Sequence, residues 1–183
     1  GPYEPAKGLL FNEENVLLDP YSRAVTGQRK WGEKPEGGKD FEYRARVVKS
    51  SFDWGNIKQL EQPFEDLVIY EIHVRGYTKD KSSGVSAPGT FAGLKDKIPY
   101  LKDLGINAVE LMPIFEFDEM ESARVVDGVQ LYNYWGYNTV SFFAPNTSYA
   151  FNEEHNHEGD ELKSLIKALK ENGIEVILDV VFN

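Results

Sequence analysis

The sequence predicts an α/β fold of parallel strands joined by right-handed helical crossovers, and three observations predict it. Segments 67–75, 106–114 and 174–183 are runs of β-branched and apolar residues of strand character. Between them lie segments with apolar residues at helical spacing, which gives a β-α-β-α-β order. Finally, the two helix-to-strand joints resemble each other: Leu101-Lys102-Asp103-Leu104-Gly105-Ile106 aligns with Leu169-Lys170-Glu171-Asn172-Gly173-Ile174. In each, glycine suits a left-handed C-cap and the next residue opens a strand. Such joints also occur in βα proteins generally.

Residues 1–60 read differently from the rest. They are rich in Gly, Pro, Asn and charge and hold only short apolar runs, so they build no core of their own. Leu9-Leu10-Phe11 and Val16-Leu17-Leu18 are expected as short strands, and Asp19-Pro20 as a turn. Segment 32–40 collects glycines, a proline and charges, the composition of a loop. Segment 41–48 alternates weakly, as an edge strand would.

From residue 67 the elements follow in order. In the first strand, Glu71, His73 and Arg75 fall on one face, with Tyr70, Ile72 and Val74 opposite. A structural ion-pair network among Glu71, His73 and Arg75 is the plain reading of those polar groups. Thr90 is placed to cap a helix carrying Phe91, Leu94, Ile98, Leu101 and Leu104. Pro99 interrupts it, because proline lacks the N–H and clashes with the carbonyl of Lys95, so a kink or two successive helices are expected. Gly105 ends it and the second strand follows. After a long aromatic loop, Leu162, Leu165, Ile166 and Leu169 mark another amphipathic helix, closed by Gly173. In the terminal strand Glu175, Ile177, Asp179, Val181 and Asn183 share one face. Val176, Leu178, Val180 and Phe182 share the other, which suits packing against helices. Asn183 then lies at the carboxyl end, where parallel α/β folds take their ligands.

Composition narrows the partners. With 20 Lys+Arg against 30 Asp+Glu, the net charge of −10 argues against nucleic acid and anionic membranes. Aromatic residues at 13% beside that acidity lean toward a neutral, polyhydroxylated ligand. Zero cysteines exclude disulfides and thiolate metal sites. No apolar run reaches the roughly 20 residues of a membrane span, and Gly1-Pro2-Tyr3-Glu4-Pro5 is not a signal peptide.

The densest aromatic cluster is Tyr132-Asn133-Tyr134-Trp135-Gly136-Tyr137-Asn138. Flat aromatic faces pack on the CH face of a sugar ring while amides and hydroxyls bond its hydroxyls; ordinary core packing is the alternative. His155-Asn156-His157 among Glu153, Glu154, Glu158 and Asp160 reads as a solvated acidic loop, with a metal site as the alternative. Glu116, Asp118, Glu119 and Glu121 read as a solvated loop edge. Asn146-Thr147-Ser148 has the spacing of a glycosylation acceptor, for which chance is the better explanation.

Four segments in order carry a family resemblance. These are Ile69-Tyr70-Glu71-Ile72-His73-Val74-Arg75-Gly76-Tyr77-Thr78; Gly105-Ile106-Asn107-Ala108-Val109-Glu110-Leu111-Met112-Pro113; Tyr134-Trp135-Gly136-Tyr137-Asn138 with Phe142-Phe143-Ala144-Pro145; and Asp179-Val180-Val181-Phe182-Asn183. Together they resemble the isoamylase and glycogen-debranching type of the α-amylase superfamily of glycoside hydrolases. Upstream, Leu18-Asp19-Pro20-Tyr21 resembles the segment joining that type's amino-terminal β-sandwich to its barrel.

The resemblance implies a partial TIM (β/α)₈ barrel, its first three strands, preceded by an irregular segment with short β-strands. Residues 1–60 would be the end of the β-sandwich and linker, and residues 61–183 the first part of the barrel. It implies an α-glucan polysaccharide as substrate, cleaved at α-1,6 branch linkages, with no cofactor and no metal assigned. Tyr137 matches the tyrosine that stacks on the sugar ring, and Trp135 stands beside it in the same motif. Asp179 matches an acid that supports the catalytic centre, and Asn183 an amide of the same region. The nucleophile and acid/base carboxylates are implied on later strands, so the 183 residues are expected to be inactive alone. Pullulanase- or branching-type chemistry and a non-catalytic glucan-binding subunit are the alternatives. A cytoplasmic setting is implied, or a plastid in a plant or alga.

Overall fold

A computed structural model describes residues 1–12, 17–33, 43–154 and 157–182. The chain opens with a two-residue antiparallel pair, β1 (Tyr3–Glu4) and β2 (Leu9–Leu10). Leu9 and Leu10 thus form the expected strand, while Phe11 lies outside it. Leu17 and Leu18 are not in a strand, and Val16 falls outside the described residues. The expected loop at 32–40 lies mostly outside them too, as do Phe41 and Glu42 of the expected edge strand. Its remainder makes one antiparallel bridge, Val25 to Ala45, flanked by Thr26 N–H to Arg44 O and Arg46 N–H to Ala24 O, both 2.8 Å. Ala24 and Val25 are the only buried hydrophobic residues before Ile72 among the described residues, consistent with an amino-terminal segment that has no core of its own.

The frame of the molecule is a parallel sheet of β3 (Ile69–Ile72), β4 (Ala108–Leu111) and β9 (Glu175–Leu178), in the order β3-β4-β9. Register pairs Glu71 with Glu110 and Glu110 with Ile177, and Ile72 with Leu111 and Leu111 with Leu178. Because side chains alternate along a strand, Glu71, Glu110 and Ile177 share one face, and Ile72, Val109, Leu111 and Val176 share the other. Helices cover the second face. These are α1 (Val74–Thr78), α2 (Phe91–Lys95), α3 (Ile98–Leu104) and α4 (Glu158–Glu171). Ile72, Val109 and Leu111 join Phe91, Leu94, Leu101, Leu165 and Leu169 in one buried cluster, with Val176 packed against it.

Helix boundaries follow the local chemistry expected of them. Thr90 Oγ1 accepts from Gly93 N–H at 3.1 Å and donates to Ala87 O at 2.8 Å, capping α2. Pro99 sits in the first turn of α3, so the expected interruption is resolved as two helices. Gly105 and Gly173 both take left-handed φ values, +84° and +76°, at the two joints.

Several expectations need correction. The first strand ends at Ile72, because α1 begins at Val74: His73 keeps an extended backbone and caps the helix, while Arg75 is helical and does not continue the Glu71 face. No ion pair links Glu71, His73 and Arg75 among the described residues: the His73 ring bonds backbone groups and Tyr149 instead. The terminal strand is shorter than expected and its apolar face is largely uncovered. Val176 packs, but Leu178, Val180 and Phe182 are exposed, because α4 covers only the start of β9.

The long aromatic loop holds four strands. β5 (Phe115–Phe117) pairs antiparallel with β8 (Thr139–Pro145), and between them β6 (Arg124–Val126) and β7 (Val129–Leu131) form an exposed hairpin. Among the described residues, no helix is long and apolar enough to cross a membrane.

Candidate functional site

The carboxyl ends of β3, β4 and β9 point toward one group of loops, the end at which parallel barrels bind ligands. Asp179 follows β9 directly, and its N–H donates to Leu111 O at 2.9 Å, which extends the pairing and fixes the residue. By alternation Asp179 lies on the side of Ile177, Glu110 and Glu71. The Tyr137 hydroxyl donates to Asp179 Oδ2. That bond, then burial, then the charges of Asp179, Glu71 and Glu110 push the Tyr137 phenol up to about 12. The phenol therefore stays protonated and keeps donating.

Tyr137 reaches this position through a turn that needs glycine. Gly136 has φ +81°, and a Cβ there would meet Phe117 at 2.6 Å. Before it, Tyr134 and Trp135 lie edge to face with ring centroids 5.1 Å apart. The His73 ring stacks on Tyr134 at 4.1 Å and 11°, and stands edge-on to Trp135 at 6.1 Å. Trp135 remains 53% exposed, with its indole open to a ligand. A second layer supports this one: Trp31 stacks on Tyr149 at 6.3 Å and 10°, and the Arg75 guanidinium lies 4.5 Å from the Trp31 ring centroid.

Of the residues expected at the site, Tyr137 and Asp179 are joined directly. Trp135 stands on the His73–Tyr134 stack and makes no hydrogen bond to either of them. Asn183 lies outside the described residues.

Sequence reasoning missed the acids beneath the loop. Glu116 is 1% exposed and Glu119 fully buried, not solvated as expected. Register shifts on both sides of Glu116 turn it inward beside Phe117. Thr147 N–H donates to Glu116 at 2.6 Å and Thr147 Oγ1 at 3.2 Å; burial nevertheless raises the Glu116 carboxyl to about 8. Burial also raises Glu119 to about 7, while Gly32 N–H donates to it at 3.3 Å and the Arg75 charge partly counters the shift. The Phe115-Glu116-Phe117 run was the available signal, an acid flanked by aromatics.

Other motifs resolve more simply. Asn146, Thr147 and Ser148 are buried, which removes them as a glycosylation site. His155 and Asn156 lie outside the described residues, while His157 is an exposed partner of Glu154 at 3.4 Å. Glu158, expected in that solvated loop, is instead buried against Arg46. Among the described residues, no group of three or more His, Cys, Asp or Glu is placed to hold a metal.

Known proteins share this sequence and this fold. Residues 47–183 match the family described as "Alpha amylase, catalytic domain". The whole chain is 40% identical to Isoamylase 1, chloroplastic, of Arabidopsis thaliana, covering 24% of that protein. It is 39% identical to the Glycogen debranching enzyme of Yersinia enterocolitica, covering 29% of it. Among solved structures, the type I pullulanase of Bacillus subtilis in complex with maltose superposes with a TM-score of 0.70 at 30% identity, over 91% of this chain and 23% of that one. The chain thus spans about a quarter of the length of these relatives. The fold is α/β of the TIM-barrel type. By the match over residues 47–183, the chain belongs to the alpha-amylase catalytic-domain family.

Proposed function

We propose that this chain provides the first three strands of a (β/α)₈ barrel in a hydrolase that cleaves α-1,6 branch linkages of glycogen- or amylopectin-type glucans. Residues 61–183 are the barrel portion, and residues 1–60 the end of an amino-terminal β-sandwich with its linker. The single observation that carries the reading is the Tyr137–Asp179 hydrogen bond, made at the carboxyl end of the sheet beneath an exposed aromatic loop.

The roles follow from that geometry. The Tyr137 ring stacks on the CH face of a glucose unit, and its hydroxyl, held by Asp179, fixes the angle of the ring. Trp135 supplies a second apolar surface. Asp179 keeps acceptor capacity for sugar hydroxyls after accepting from Tyr137; Asn183 is assigned to the same site from its motif alone. Retaining hydrolysis needs a nucleophilic carboxylate and an acid/base about 5–5.5 Å apart; we assign both to later strands of the complete barrel. Relatives named as chloroplastic support a plastid setting beside a cytoplasmic one.

The test uses purified chain. Maltohexaose should change Trp fluorescence in a saturable way, Trp135→Ala should abolish the change, and glycogen should yield no new reducing ends. Absence of any saturable response would overturn the binding role. Release of reducing ends would overturn the assignment of the catalytic acids to other strands.

A further inference from the structure

The neighbours of His73 select its protonation state. Its Nδ1 accepts from Gly76 N–H at 2.9 Å, so that nitrogen carries a lone pair. Its Nε2 lies 2.8 Å from the Tyr134 carbonyl oxygen, which only accepts, so that nitrogen carries the proton. Two backbone groups thus select one neutral tautomer. The Tyr149 hydroxyl, 3.3 Å from Nε2, and the Tyr134 ring stacked at 4.1 Å close the remaining sides. The contact spans 61 residues of sequence, from the end of β3 to the loop that carries Trp135 and Tyr137.

We propose that His73 is a positioning residue for the glucan-binding loop: its neutral Nε2–H form ties that loop to the end of β3, and protonation at Nδ1 releases it. The inference rests on the proposed glucan-binding role for its functional consequence, but the tie itself does not depend on it. A proton on Nδ1 would face the Gly76 N–H donor to donor, breaking the cap of α1 and shifting the ring from under the Tyr134 carbonyl. The imidazole is 9% exposed, so water cannot readily replace the lost partner.

The groups around it agree. Arg75 on α1 acts on His73 with positive charge; Tyr134 from the loop and Tyr149 from the turn after β8 are the other titratable groups against the ring. Burial first, then Arg75, keeps the imidazole below its ordinary range, against the opposing pull of the Tyr134 carbonyl. The tie is therefore complete at neutral pH and opens only on acidification.

Two variants separate the two halves of the tie. His73→Asn retains an acceptor for Gly76 N–H but not the reach to Tyr134 O; His73→Gln retains the reach but not the cap. NMR on the unliganded, ¹⁵N-labelled chain should show pyridine-like Nδ1 and pyrrole-like Nε2 at pH 7, with the Trp135 and Gly136 amides following the His73 midpoint on acidification. An imidazolium or Nδ1–H form at pH 7, or loop amides that do not follow His73, would overturn the tie. For binding, His73→Asn should weaken maltohexaose about tenfold at pH 7, the worth of one hydrogen bond. It should also lose the acid step of the wild type, and His73→Gln should recover part of the neutral-pH affinity. Unchanged affinity and pH profile in His73→Asn would refute the positioning role. A wild-type chain that binds no maltohexaose but passes the NMR test would fail the functional reading while leaving the tie standing.

Discussion

Burial holds the proton on Glu116, and a hydrogen bond to Asp179 holds the one on Tyr137. Glu116 has its folded carboxyl raised to about 8, and Glu119 to about 7, above the ordinary 4.5. Both hold protons in the folded state that the unfolded chain releases, so each contributes stability below about 4.5 that is lost as pH rises to 7–8. His73 has the opposite sign: its lowered value contributes stability above 6.5 that is lost as pH falls through the folded value. Above pH 6.5 the acids alone act, and unfolding midpoints in urea should fall between pH 6.5 and 8. Glu116→Gln should flatten that slope; an unchanged slope would show that Glu116 does not titrate there. Tyr137→Phe keeps the ring but loses the bond to Asp179. It should leave the thermal midpoint nearly unchanged and weaken maltohexaose by a few-fold, the equivalent of about 0.5–1.5 kcal/mol. Tyr137 was singled out by its motif, and the structure bonds it to Asp179. The burial of Glu116 was not legible in the sequence, because it depends on register shifts in β5 and on Thr147, 31 residues away.

Among elements, what the sequence made legible is what short-range chemistry decides. The Thr90 cap, the break at Pro99 and the left-handed Gly105 and Gly173 all follow from residues within one turn of their effect. Thr90→Ala should accordingly cost about 1–2 kcal/mol in urea unfolding, because Gly93 N–H loses its acceptor and Ala87 O its donor. The length of the first strand was misjudged for the opposite reason. His73 has ordinary strand neighbours, and only its bonds to Gly76 and Tyr134 reveal that it caps a helix. The loop before β8 depends on Gly136 in the same non-local way. Gly136→Ala forces an unfavourable φ and a contact with Phe117, so it should destabilise the fold by more than about 1 kcal/mol and lower glucan affinity together. Loss of neither would show that the loop re-forms without that turn.

For the whole molecule, the sheet is dressed on one side only. Helices bury Ile72, Val109 and Leu111, whereas Ile69 on the other face remains exposed, and β3 and β9 have no outer strand partner among the described residues. Open edges of this kind template association, and the net charge of −10 opposes it only weakly at physiological salt. The isolated chain should therefore self-associate through these edges, its sedimentation coefficient rising with concentration. A monomer at every concentration would show that the open edges do not template association.

The carboxyl end of this sheet is proposed as a glucan-binding surface built by Tyr137, Asp179 and Trp135. Mapping amide shift changes during a maltohexaose titration of the ¹⁵N-labelled chain tests it most directly. Saturable changes should concentrate at residues 134–138 and at Asp179, and should be much reduced in Tyr137→Ala. Changes confined to other surfaces, or none at saturating maltohexaose, would contradict it.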